Sequence, residues 1–101
     1  MVDFAKLFAK DPYFAFAFYT ELTHDDINAA RYMDDLLLDT LENLHANSTL
    51  NNTVLFVFGD HGIRFGEIRN TKSGKLEERL PYLTITFPLW FRKKYPDHYA
   101  N

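Results

Sequence analysis

The sequence predicts an α/β fold in which a strand, a helix and a second strand form a parallel βαβ unit, followed by a third strand. Two apolar runs, 13–20 and 53–58, are rich in aromatic or β-branched residues, which is typical of strands. Between them, apolar residues recur at helical spacing over 27–46. Because parallel strands need a long crossover connection, this order favours a parallel pair.

The first predicted strand, 13–20, begins after Pro12 and alternates large with small side chains. We expect a face of three phenylalanines and an opposite face of two alanines, so that a helix can pack closely on the small side. The two sets are Phe14, Phe16 and Phe18 on one face, and Ala15 and Ala17 on the other.

The predicted helix, 27–46, begins after Asp25, whose carboxylate suits both an N-cap and the positive end of the helix dipole. We expect it to end before Asn47 and Ser48, because Asn and Ser compete for backbone hydrogen bonds. Its apolar stripe consists of Ile27, Ala30, Leu37, Leu38, Leu41 and Leu44.

The second strand, 53–58, is a continuous apolar run of the kind that is buried on both faces of a sheet. A polar loop over 59–79 follows, and its unusual length favours a functional role. The third strand, 82–87, begins after Pro81. A basic tail that includes Arg92 ends the pattern.

Length and composition predict one domain over 1–101 and exclude several classes of function. The 101 residues are 47% hydrophobic, enough for a single core. The formal net charge of −3 gives no indication of a nucleic-acid partner. No apolar stretch reaches the roughly 18 residues of a membrane span. Because cysteine is absent, neither a disulfide framework nor a thiolate metal site is possible.

Asp60 and His61 stand between Gly59 and Gly62 at the carboxyl end of strand 53–58. Ligands of open α/β sheets bind beyond the carboxyl ends of the strands. A carboxylate oxygen beside an imidazole nitrogen suits a divalent metal such as Zn or Mn. The alternative is a plain turn in which Asp60 caps backbone groups and His61 lies on the surface.

The predicted topology also brings His24 to this edge, because His24 follows strand 13–20 and parallel strands end on the same side. The alternative for His24 is an exposed imidazole at the start of a helix. The loop that follows adds five cations, and guanidinium forks suit tetrahedral oxyanions. We predict substrate contacts for Arg64 and Lys75, and a solvated loop for the rest. The five cations are Arg64, Arg69, Lys72, Lys75 and Arg79.

Two N-glycosylation sequons, which begin at Asn47 and Asn51, lie in the polar link before strand 53–58. They give modest support for a secreted protein.

Two stretches resemble a known family. The segment LNNTVLFVFGDHG at 50–62 resembles the signature of the sulfatase and alkaline-phosphatase superfamily. The segments RFGEIRNT at 64–71 and GKLEERLP at 74–81 resemble, more specifically, the sulfatase-like DUF229 family, a domain of unknown function. The resemblance extends from about Tyr13 to Tyr95.

The resemblance implies that the chain is a fragment of an alkaline-phosphatase-like parallel-sheet core. Asp60 and His61 would hold a divalent metal (Zn, Mn or Ca), and His24 would contact the substrate or the metal. The family's nucleophile is a Thr, a Ser or a modified Cys that lies, with further acidic ligands, N-terminal to this region. No segment here matches it, so we expect no catalytic residue in this chain. With two ligands, the metal is not expected to be retained by the chain alone.

The predicted function is therefore a fragment of an extracellular, metal-dependent, sulfatase-like hydrolase or transferase. Its substrates would be phosphate or sulfate esters, and the chain would be inactive as given. The alternative is a noncatalytic binding or structural module that keeps the superfamily core. A nucleophile motif preceded by a strand and an acidic residue, in polypeptide upstream of this sequence, would favour the enzyme.

Overall fold

The computed structural model of the chain describes residues 1–100, with the exception of Leu22, Asp25 and Ile27. It contains helices and a small two-stranded antiparallel sheet, so the prediction of a mixed α/β fold is confirmed. The helices are α1 (Val2–Leu7), α2 (Asp34–Ala46), α3 (Lys72–Arg79), α4 (Leu89–Lys94) and α5 (Pro96–Tyr99). The strands are β1 (Leu55–Phe58) and β2 (Leu83–Thr86). Short 3₁₀ helices cover Ala29–Met33, Thr49–Asn51 and Glu67–Asn70.

Contacts between residues divide the chain into two compact units. Unit 1 comprises Met1–Phe18, Asp35–Leu55 and Ile85–Asn101, and unit 2 comprises Tyr19–Asp34 and Phe56–Thr84. Both strands pass from one unit into the other. The prediction of one partial domain over 1–101 stays a prediction.

Unit 1 has a small core and a cluster of aromatic rings. Among the described residues, the buried core side chains are Ala5 of α1 and Leu44 of α2. Phe87 and Phe91 stack with their ring centroids 4.8 Å apart. The Arg92 guanidinium lies 4.8 Å from the Tyr99 ring centroid, a cation–π distance. The contact between Arg92 and Tyr99 therefore joins α4 to α5.

The strand predicted over 13–20 is wrong for this structure, in which residues 12–20 form neither helix, turn nor strand. A strand exists only where a neighbour supplies ladder hydrogen bonds, and β1 pairs instead with β2. The predicted parallel βαβ unit therefore is not present among the described residues. What does join the two runs is a side-chain hydrogen bond of 3.3 Å between the Tyr13 hydroxyl and Thr53 Oγ1.

The predicted helix over 27–46 is largely confirmed, as a 3₁₀ turn over Ala29–Met33 that continues into α2. The predicted N-cap Asp25 and the first stripe residue Ile27 lie outside the described residues. Asp26 supports the helix start, since its carboxylate accepts a 2.8 Å hydrogen bond from the Asn28 amide. The 3₁₀ start leaves α2 shorter than predicted.

The other two predicted strands are confirmed, although each is shorter than predicted. β1 and β2 run antiparallel, and the Gly59 amide donates to the Tyr82 carbonyl at 2.9 Å where β1 ends and β2 begins. This bond brings the turn at Gly59 against the entry to β2. No helix among the described residues is long and apolar enough to cross a membrane.

The predicted loop over 59–79 is partly helical, because α3 fills its second half. Thr71 caps this helix: its Oγ1 accepts from the Gly74 amide at 2.9 Å and donates to the Ile68 carbonyl at 2.7 Å. Arg69 adds a 3.3 Å ion pair with Glu78. Ser73 and Gly74 obscured this helix in the sequence, because both have a lower helix propensity than the Lys, Glu and Arg residues around them.

The cap gives a first test. In Thr71→Ala the Gly74 amide loses its acceptor, which costs about 1 kcal/mol of helix stability, or about fivefold in the opening equilibrium. Thr71→Ser keeps the hydroxyl and should change little. Hydrogen exchange at the Gly74 amide measures the effect; equal protection in both variants would show that Thr71 does not cap α3.

Candidate metal pair at the end of β1

Asp60 and His61 follow β1 directly and turn toward each other. The His61 amide donates to Asp60 Oδ1 at 2.9 Å. The second carboxylate oxygen, Oδ2, lies 3.6 Å from His61 Nε2. The Asp60 side chain is 54% exposed and that of His61 34%, so both reach solvent. The pair therefore presents one carboxylate oxygen and one ring nitrogen side by side.

The other ring nitrogen of His61 fixes the tautomer. Nδ1 lies 2.7 Å from the Gly62 carbonyl oxygen, which can only accept a hydrogen bond. In the neutral imidazole the proton is therefore on Nδ1, and Nε2 carries a lone pair. Histidine ligands of metals commonly have this arrangement, with the second nitrogen bonded to a carbonyl or carboxylate. In that tautomer Nε2 and Asp60 Oδ2, which lie 3.6 Å apart, are both available as metal ligands.

Gly62 anchors the turn to α3. Its amide donates to the Glu78 carbonyl at 3.2 Å. A Cβ at this position would lie 2.0 Å from the Glu77 carbonyl oxygen, too close for any side chain. Glycine is required here by close backbone approach. Gly62, whose carbonyl is bonded to His61, is thus joined through its amide to the last turns of α3, a contact that sequence reasoning missed.

His24 contacts the loop that follows the pair. Its ring centroid lies 5.7 Å from that of Phe65. This contact brings the segment around His24 to the residue beside Arg64. The role of His24 at the metal or substrate stays a prediction.

The comparison with protein families decides the affiliation of the chain. The sequence model of the family described as "Protein of unknown function (DUF229)" matches residues 1–101. The chain belongs to the DUF229 family. The resemblance drawn from the motifs at 64–71 and 74–81 is therefore confirmed at the level of the family. Neither the search of curated proteins nor the search of solved structures found a significant match.

Two cations of this DUF229 chain, Arg64 and Lys75, are exposed and form no ion pair with another described residue. Lys75 lies in α3, and its amide donates to the Thr71 carbonyl at 3.2 Å. Arg69 differs, because it forms an ion pair with Glu78. Their predicted contacts with an anion stay predictions.

The number of ligands limits how well Asp60 and His61 bind a metal ion on their own. Among the residues that the structure describes, no three His, Cys, Asp or Glu side chains are grouped so as to hold a metal ion. The structure brings Asp60 and His61 together, and it places the His24 ring 5.7 Å from the Phe65 ring, between centroids.

Both sequon asparagines are exposed. Asn47 follows α2, and its side-chain amide donates to the Asn43 carbonyl at 2.7 Å. Asn51 ends the 3₁₀ turn Thr49–Asn51. Their exposure is compatible with the predicted glycans.

Proposed function

We propose that this chain supplies the aspartate and histidine ligands of a divalent-metal centre in a sulfatase-like hydrolase or transferase. The substrates in this proposal are phosphate or sulfate esters. The observation that carries the proposal is the 3.6 Å distance between Asp60 Oδ2 and His61 Nε2, in a ring whose Nδ1 lies 2.7 Å from the Gly62 carbonyl oxygen. An ordinary surface turn does not require a carbonyl to be hydrogen-bonded to Nδ1 of its histidine.

The separation of the two atoms fits a shared ion. Zinc lies about 2.0–2.2 Å from nitrogen and oxygen ligands, so tetrahedral angles separate two ligands by about 3.4 Å. The observed distance of 3.6 Å differs by only a few tenths of an ångström. Imidazole with carboxylate favours Zn or Mn over Ca, which prefers oxygen ligands throughout.

The residues around the pair support ester chemistry. When bound, the metal polarises the ester and offsets charge on its non-bridging oxygens. Arg64, exposed and without an ion-pair partner among the described residues, has the flat donor fork that binds a tetrahedral oxyanion in two places. His24 and Lys75 are proposed to contact the same anion.

Two ligands are fewer than the three that catalytic zinc sites use. In this proposal the remaining ligands and the nucleophile come from polypeptide outside this chain, so the chain alone is inactive.

The exposed sequons at Asn47 and Asn51 support a protein of the secretory pathway or the cell exterior. A glycoprotein enzyme of that compartment is compatible with a chain that has no cysteine to oxidise.

The second candidate is a noncatalytic binding or structural module that keeps the superfamily core. It is favoured by the lack of a third metal ligand among the described residues. The two candidates differ in metal dependence, because a module that has lost catalysis has no need of Asp60.

Calorimetric titration of the chain with Zn²⁺ or Mn²⁺ tests the ligand count. We expect dissociation constants in the millimolar range, because two donors leave the ion mostly hydrated. At a micromolar concentration of the metal ion, Asp60→Ala should barely alter the amount of metal bound. Micromolar binding that Asp60→Ala removes would contradict the proposal, since it would require a complete site within this chain.

A further inference from the structure

The segment Tyr13–Tyr19 is an apolar stretch whose three phenylalanines are largely exposed. Phe14 is 86% exposed, Phe16 63% and Phe18 57%. The seven residues carry no charge and include no proline. Short apolar segments of this kind, with high β propensity, add readily to another strand.

The backbone of this segment is open to such pairing. Residues 12–20 contain no helix, turn or bend. Within the described part of the chain, no backbone hydrogen bond involves them. Their amide and carbonyl groups therefore resemble those of an unpaired edge strand, which another chain can complete.

The sequence of the segment is its own mirror image. Tyr-Phe-Ala-Phe-Ala-Phe-Tyr reads identically in both directions about Phe16. Two antiparallel copies related by a two-fold axis at Phe16 would place like residues opposite one another. The pairs across the axis are Tyr13 with Tyr19, Phe14 with Phe18, Ala15 with Ala17, and Phe16 with Phe16.

We propose that a second copy of this chain docks on Tyr13–Tyr19 as an antiparallel strand, which makes the chain a two-fold dimer. The palindrome makes the surface self-complementary, as an isologous interface requires. Aromatic cross-strand pairs stabilise such a ladder, and the small alanines oppose each other without a clash. The open groove beside the segment is lined by Met1, Phe4 and Phe14–Ala17 and gives partner side chains apolar surface to contact.

A seven-residue pair buries less than the roughly 1,600 Å² of a standard interface. We therefore expect a dimer that dissociates on dilution, with a dissociation constant on the order of micromolar. The proposal is independent of the metal pair, because it uses none of its residues.

Single-cysteine variants test the register directly, since the chain has no cysteine of its own. Opposite residues of antiparallel strands have Cα atoms about 4.5–5.5 Å apart, within the range of a disulfide. Phe16→Cys should therefore cross-link to itself under mild oxidation. Ala15→Cys mixed with Ala17→Cys should cross-link too, and this combination keeps every phenylalanine.

The matched control is Phe14→Cys alone, whose two copies would lie about 13 Å apart. We expect it to cross-link at least about tenfold more slowly than Phe16→Cys, because the paired thiols have a millimolar effective concentration. In analytical ultracentrifugation, the wild-type chain should form a dimer in a concentration-dependent way. The Phe16→Lys variant should stay a monomer. A wild-type monomer at all concentrations, or equal cross-linking of Phe14→Cys and Phe16→Cys, would overturn the proposal.

Discussion

Gly62→Ala should destabilise the turn that holds His61 by about 3 kcal/mol, as expected of a strongly overpacked position. The added Cβ would lie 2.0 Å from the Glu77 carbonyl oxygen and 2.8 Å from the Glu78 nitrogen. These are backbone atoms of α3, so neither a rotamer change nor a flexible side chain relieves the clash. The hydrogen bond from the Gly62 amide to Glu78 should be lost with it.

The matched control is Gly59→Ala, at the other end of the same turn. Its Cβ would meet Pro81 Cβ at 3.5 Å, an ordinary contact. We expect a change within about 0.5 kcal/mol. Urea unfolding, together with hydrogen exchange at the residue 62 amide, measures both variants. Equal stability of the two would show that α3 does not constrain the turn.

On the proposed function, Asp60→Ala should abolish metal-dependent ester hydrolysis by a protein that joins this chain to the nucleophile and the remaining ligands. A lost metal ligand removes stabilisation of the developing charge, and a decrease on the order of 10³ in kcat is expected. Asp39→Ala, an exposed carboxylate of α2, serves as the control and should leave the rate unchanged. The assay compares an aryl phosphate with an aryl sulfate at saturating Zn²⁺ or Mn²⁺.

Activity that persists in Asp60→Ala would remove Asp60 from the metal site and favour the noncatalytic module. A rate that falls for one ester and not for the other would identify the substrate anion. The proposed metal and Arg64 contacts do not distinguish the two esters, because both are tetrahedral oxyanions.

The parts of the fold that local pattern determines were predictable. Strand 53–58 contains β1 and strand 82–87 contains β2, because apolar runs bounded by Gly59 and Pro81 leave few alternatives. The apolar period over 27–46 predicted α2 and its C-terminal end, although α2 itself begins only at Asp34. Family membership followed from the residues after His61.

The failures came from interactions between segments. The run 13–20 has the composition of a strand. Composition does not determine which strand it pairs with, and in this structure β1 pairs with β2. Helix α3 depends on the Thr71 cap and on Gly74, where a Cβ would lie 2.0 Å from the Ile68 carbonyl oxygen. The close approach of Gly74 to Ile68 could not be predicted from the periodicity of the sequence.

The candidate site shows the same division. Adjacent positions alone predicted that Asp60 and His61 lie together, and the glycines predicted a sharp turn. The tautomer of His61 could not be predicted, because it depends on the carbonyl of Gly62, a residue whose amide is bonded to the Glu78 carbonyl.

The state of the His61 ring is the most direct test of the metal pair. Long-range proton–nitrogen NMR spectra distinguish the two ring nitrogens. We expect the proton on Nδ1, bonded to Gly62, and a shift of Nε2 on addition of millimolar Zn²⁺ that Asp60→Ala removes. A proton on Nε2, or a zinc response of His61 that is unchanged in Asp60→Ala, would contradict the assignment of these two residues as metal ligands.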